Sequence, residues 1–101
     1  MIYALVVPGP IPDVEEVRIL EWHGAVGHAF AVGELIVEFE THKALVEVRA
    51  SQPGVLRRVL RAEGAWQAVG LPIALLSSEA GEPIPEDIEE LRTMAVEFEV
   101  S

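Results

Sequence analysis

The sequence predicts an all-β domain, a sandwich or flattened barrel whose halves are related by approximate two-fold symmetry. Three observations predict it. The stretch Glu34–Ala50, E-L-I-V-E-F-E-T-H-K-A-L-V-E-V-R-A, alternates in hydropathy on either side of the polar triplet Thr41-His42-Lys43. That is the pattern of two half-buried strands joined by a tight turn. The motif G-x-x-x-A-V-G occurs at Gly27–Gly33 and again at Gly64–Gly70, 37 residues later, and each copy leads into an apolar strand. Stretches rich in glycine and proline separate the apolar runs.

Ile2–Val7 reads as a first strand, rich in branched and aromatic residues. Pro8-Gly9-Pro10 and Pro12 stop it, because their fixed φ angles impose an extended connection. Val14–Trp22 alternates in part, through Val17 and Ile19, and reads as a second strand with Trp22 as a core or rim anchor. His23–His28 is rich in turn residues, and the first repeat then delivers the chain into the hairpin. The repeat's glycines permit the positive φ that tight turns between short strands demand. On the first limb Leu35, Val37 and Phe39 face one way and Ile36, Glu38 and Glu40 the other. On the second, Leu45 and Glu47 oppose Ala44, Val46 and Val48.

Ala50–Gly54 reads as a loop and Val55–Leu60 as a strand. Arg57, Arg58 and Arg61 on or beside it suit a solvated face better than a docking patch. The second repeat leads into Leu71–Ser77, which puts Ile73 in the place of Ile36. The core strands are complete near Ser78, so the domain is set at residues 1–78. Residues 79–101 read as an acidic linker and tail, dispensable for the fold. Pro85, with Glu86 and Asp87 beside it, favours a short helix toward Met94, and Val96–Val100 alternates like an edge strand.

Composition narrows the function. The chain has 101 residues, enough for one small core, and half of them are apolar. It has no cysteine, which removes disulfides, thiol catalysis and cysteine-bound metals together. The net charge is −10. Residues 1–78 hold nine acids against six bases, and residues 79–101 hold eight acids against Arg92 alone. Such a surface repels phosphate backbones, so nucleic acid is not an expected partner. No stretch is long and apolar enough for a membrane span, and the N-terminus lacks the features of a signal peptide, so the expected location is cytoplasmic. His23 and His28, five apart, lack a third ligand at suitable spacing, and no metal site is expected.

Lys43 is the only lysine; the other six basic residues are arginine. Three readings of it are open. It is a solvated turn residue, or a catalytic amine, or a carrier lysine holding a prosthetic group in amide linkage. Catalysis needs a depressed pKa from burial or a cationic neighbour, and an exposed tip supplies neither. A carrier lysine needs only exposure and a rigid support.

Val32–Leu56, V-G-E-L-I-V-E-F-E-T-H-K-A-L-V-E-V-R-A-S-Q-P-G-V-L, and Glu63–Ala74, E-G-A-W-Q-A-V-G-L-P-I-A, resemble a lipoyl domain, the swinging-arm module of 2-oxo acid dehydrogenase complexes. The resemblance covers about residues 2–78. It implies a flattened barrel of two four-stranded antiparallel sheets (a barrel-sandwich hybrid). It also implies a non-catalytic carrier with lipoate on Lys43, in an attachment turn of Thr41, His42, Lys43 and Ala44. The implied partners are a thiamine-dependent decarboxylase, an acyltransferase, a flavoprotein and a lipoate-attaching enzyme. Where the family usually has aspartate before the lysine, this chain has His42. Biotinyl domains share the fold but flank their lysine with methionines, and the glycine-cleavage carrier protein has valine before it. The alternatives to a lipoyl carrier are a biotinyl carrier domain and an unmodified β-sandwich adaptor.

Overall fold

Two sheets face one another across a single apolar layer, and the alternation along each strand decides which side chains fill it. The computed structural model describes residues 1–101, ten strands and no helix, in a flattened body of 39 × 26 × 21 Å. In chain order the strands are β1 (Ile2–Val6), β2 (Glu16–Trp22), β3 (Ala29–Phe30), β4 (Leu35–Glu40), β5 (Leu45–Ala50), β6 (Gly54–Val59), β7 (Trp66–Ala68), β8 (Pro72–Ser77), β9 (Arg92–Thr93) and β10 (Val96–Val100). One sheet has the order β3-β6-β8-β1-β9 and the other β10-β5-β4-β2-β7. Every pairing is antiparallel except β1 with β9. Leu5, Val17, Ile19, Phe30, Phe39, Val46, Val48, Leu56 and Leu76 meet between the sheets.

The two-fold relation holds to the level of single hydrogen bonds. Gly27 N–H donates to Leu56 O at 2.7 Å, and Gly64 N–H donates to Ile19 O at 2.8 Å. In return Leu56 N–H donates to His28 O and Ile19 N–H to Ala65 O. At the next turn Ala50 N–H reaches Glu34 O and Val7 N–H reaches Leu71 O, each at 3.0 Å. The four repeat glycines Gly27, Gly33, Gly64 and Gly70 have φ between +88° and +99°, the left-handed region that side chains resist. Ile36 and Ile73, the equivalent isoleucines, are both fully buried.

Three expectations are corrected. Ile36 does not share a face with Glu38: the register of β4 against β5 slips between Leu35 and Val37, and this bulge turns Ile36 inward beside Val37. The sheets have five strands, not four. Four strands of each come from residues 2–77, with the short β3 and β7 lying inside the two repeats, and residues 92–100 add one apiece. The helix toward Met94 is absent; residues 84–91 run as irregular backbone with a bend at Glu86 and a turn at Glu89 and Glu90.

The free edges of β1 and β5 explain the last two corrections. They present unpaired backbone groups that an extended segment satisfies and a helix would not. Thus Met94 N–H donates to Ala4 O at 2.8 Å, and β10 pairs along the whole of β5. Met94 is buried, its Cε against Gly54, where an added Cβ would stand 3.3 Å away. Residues 92–100 are therefore packed against the body rather than trailing from it, and only the edge strand at Val96–Val100 matches the sequence reading.

Candidate functional site

The β4–β5 hairpin ends in a turn closed by one side chain. Thr41 N–H donates to Ala44 O at 2.9 Å. The Thr41 hydroxyl oxygen accepts from Lys43 N–H at 3.1 Å and Ala44 N–H at 2.9 Å, while the hydroxyl donates to Ala44 O at 3.2 Å. Threonine suits the position because a branched residue fits the strand and its hydroxyl serves the turn. Thr41 is buried, Ala44 half-buried, and His42 and Lys43 are exposed.

The Lys43 side chain leans toward a second loop. Its ammonium lies 3.2 Å from Asp13 Oδ2, with both side chains well exposed. Asp13 sits in a turn that Val14 N–H closes onto Ile11 O at 3.1 Å, and it adopts φ +62°, a conformation aspartate tolerates better than most residues. An open groove of about 700 Å³ runs beside the lysine, lined by Ile11, Asp13, Val14, Glu15, Glu16, His42 and Trp66. Trp66 is about half exposed, an unusual placement for so large an apolar surface.

Thr41, His42, Lys43 and Ala44 thus form one turn, as read from the sequence. Asp13 and Trp66 were not read as part of the site. Pro12-Asp13 is a turn signal that places a carboxylate at a loop tip, but nothing local shows that the loop folds over Lys43. His23 and His28 take separate partners. His28 Nε2 is 2.5 Å from Glu34 Oε2, and its ring stands edge-on to Phe30 at 4.5 Å. His23 Nε2 is 2.6 Å from Glu38 Oε1. A hydrogen bond from Ala31 N–H and then the His28 bond hold the Glu34 carboxyl below its usual range.

Arg57, Arg58 and Arg61 do not form one basic patch. Arg57 donates to Ser77 Oγ at 3.2 Å and Glu82 O at 2.8 Å, tying residue 82 to β6, whereas Arg61 reaches only Leu60 O. Trp22 is a rim anchor, half-buried against the core with its indole N–H donating to Arg61 O at 3.0 Å.

Residues 4–76 match the biotin/lipoyl family model, described as "Biotin-requiring enzyme". The chain is 40% identical over 75 residues to the dihydrolipoyllysine-residue succinyltransferase component of the 2-oxoglutarate dehydrogenase complex of Staphylococcus saprophyticus, covering 74% of this chain and 18% of that protein. It is 37% identical over 71 residues to the mitochondrial pyruvate dehydrogenase complex protein X component of Saccharomyces cerevisiae, covering 69% and 17%. The chain therefore spans less than a fifth of these relatives. The solution structure of the lipoyl domain of the 2-oxoglutarate dehydrogenase complex from Azotobacter vinelandii superposes with a TM-score of 0.60 at 28% identity, over 74% of this chain and 98% of that domain.

Proposed function

The chain belongs to the biotin/lipoyl attachment family, and on that premise we propose that it is a swinging-arm carrier with lipoate in amide linkage on Lys43. One observation carries this reading. The only lysine of the chain stands exposed at a hairpin tip whose turn is closed by the Thr41 hydroxyl. Loading joins the carbonyl carbon of an activated lipoyl donor to Nζ; the activating group leaves, and the ammonium loses two protons and keeps the third as the amide N–H. Nothing at the tip obstructs such a donor, since both His42 and the Lys43 side chain are exposed.

When bound, lipoate would supply a redox-active disulfide that carries an acyl group and two electrons between partner active sites. The chain's own work is mechanical. Paired strands and the Thr41 clasp keep the arm's root fixed, and tethering raises the arm's concentration at each active site toward the millimolar range. The partners of this reading are a thiamine-dependent decarboxylase, an acyltransferase, a flavoprotein and a lipoate-attaching enzyme. Lipoate rather than biotin is supported by the two named relatives, both from 2-oxo acid dehydrogenase complexes, and by His42 and Ala44 flanking the lysine where biotinyl turns carry methionine.

Intact mass tests the proposal. Expressed in a host with lipoate ligase, the protein should gain one lipoyl group, and Lys43→Arg should gain none. No gain in the parent, a biotinyl gain, or a gain that survives the substitution would each overturn it.

A further inference from the structure

On the outer face of the sheet that ends in the Lys43 turn, Glu38 of β4 is directly opposed by Glu21 of β2 and by Glu47 of β5. Carboxylates set opposite one another across strands repel. Arg18 pairs with Glu40 and Arg49 with Glu47, but no arginine or lysine comes within 4 Å of Glu21 or Glu38. The basic group that does is His23.

Glu21 reaches this face by a bulge. The register of β2 against β4 slips between Ile19 and Glu21, and Leu20 and Glu21 are both exposed. Strict alternation from Val17 and Ile19 would have turned residue 21 into the core. His23 is held by its backbone and its neighbour: His23 N–H donates to Ile36 O and Trp22 N–H to Glu63 Oε2, each at 2.9 Å.

The ring's two nitrogens face different carboxylates. Nε2 is 2.6 Å from Glu38 Oε1, a distance that requires a proton between them. In the neutral ring Nδ1 is then a bare lone pair, 3.9 Å from Glu21 Oε2. A lone pair and a carboxylate at this distance repel each other unless a proton or a metal ion lies between them.

We propose that His23 Nδ1 and Glu21 form an open binding site for a divalent transition-metal ion of the zinc class, with Glu38 fixing the ring. Metal-bound histidines commonly donate their second N–H to a carboxylate, which is the role the Glu38 contact fills here. Zinc bonds of about 2.0–2.2 Å at a tetrahedral angle set nitrogen and oxygen about 3.4 Å apart, so Glu21 need close by only about 0.5 Å. Glu21 is exposed and free to do so, and suitable ligand atoms of Glu21, His23 and Glu38 already lie within 4.8 Å of one another. Water completes the coordination. An imidazole ligand selects zinc, copper or nickel over magnesium and calcium.

The site is independent of Lys43 and is tested on unmodified, tag-free protein. Calorimetric titration with zinc chloride should give one saturable equivalent, and zinc should raise the melting temperature where magnesium does not. Glu21→Gln, at an exposed position, should keep the fold by circular dichroism and weaken zinc binding at least tenfold. His23→Ala should abolish binding, while His28→Ala should leave it unchanged. No saturable binding, or zinc binding that survives Glu21→Gln at full strength, would overturn the proposal even if His23→Ala failed to fold.

Discussion

The Lys43 ammonium and the Asp13 carboxylate lie 3.2 Å apart across 30 residues of sequence. The pair joins the turn at the hairpin tip to the loop between β1 and β2. An amide on Nζ carries no charge, so loading Lys43 dissolves the pair. The side-chain carboxyl ¹³C resonance of Asp13 should therefore shift on lipoylation. Because exposed ion pairs contribute only about 0–1 kcal/mol, Asp13→Asn should move the melting temperature by a few degrees at most. An unmoved resonance would show that the pair is not populated in solution.

Thr41→Val keeps the branched shape and removes the acceptor for two turn N–H groups. Leaving donors unpaired at this buried position should cost about 1–3 kcal/mol, read from urea melts. The Ala44 amide should also exchange faster with solvent. Thr41→Ser should restore most of the loss. A valine variant as stable as the parent would mean that the strands alone fix the turn.

Gly33 and Gly70 are equivalent in the repeat, at φ +88° and +91°, with no atom within 4 Å of an added Cβ. Alanine there meets conformational strain alone, about 1–2 kcal/mol. Gly33→Ala and Gly70→Ala should destabilise to a similar extent in denaturant melts. A silent substitution at either position would show that the two turns are not mechanically equivalent.

Met94→Ala empties a fully buried position and should cost about 2–5 kcal/mol. For a domain of this size that lowers the melting temperature by on the order of 10 °C or more. Truncation after Glu79 removes Met94, β9 and β10 together and should cost more still. This reverses what the charge of the segment suggested. A truncated chain that melted with the parent would restore the view of residues 79–101 as a tail.

The Glu82 carboxyl is pulled from the usual 4.5 to about 2 by the Met1 ammonium and then by Ser78 Oγ, which donates to it at 2.7 Å. A depressed carboxyl stabilises the fold above 4.5, and that contribution is lost as pH falls from 4.5 toward 2. Glu82→Gln should therefore be less stable than the parent at pH 6, with the gap narrowing by pH 3, in paired urea melts. A gap constant with pH would show that the ammonium contact is not made.

The hairpin and the repeat were legible because their signals are local. Thr41–Ala44 needs only its own residues to form a turn, and the glycines of the two repeats announce their backbone angles. The bulge in β4 was not legible, because Leu35-Ile36-Val37 is apolar throughout and carries no phase to read. Residues 84–94 misled for a different reason. Pro85, Glu86 and Asp87 carry the local signals of a helix start, but the edges that claim the following segment belong to β1 and β5, far away in sequence. Asp13 and Trp66 reached the site the same way, Asp13 brought to Lys43 and Trp66 to the groove beside His42 by tertiary closure rather than by any motif.

β1 lies between β8 and β9 in its sheet, so residues 2–6 have no partner until residues 72–77 and 92–93 exist. A ribosome adding about 5–20 residues each second leaves Ile2–Val6 waiting roughly 4–15 seconds. The hairpin bearing Lys43 can close during that interval, but β3 and β6 are the only paired strands of the opposite sheet that exist to cover its core face. Chaperones and aggregation therefore compete for I-Y-A-L-V before the domain can fold, and substitutions that speed β1 docking should raise soluble yield without changing the finished fold.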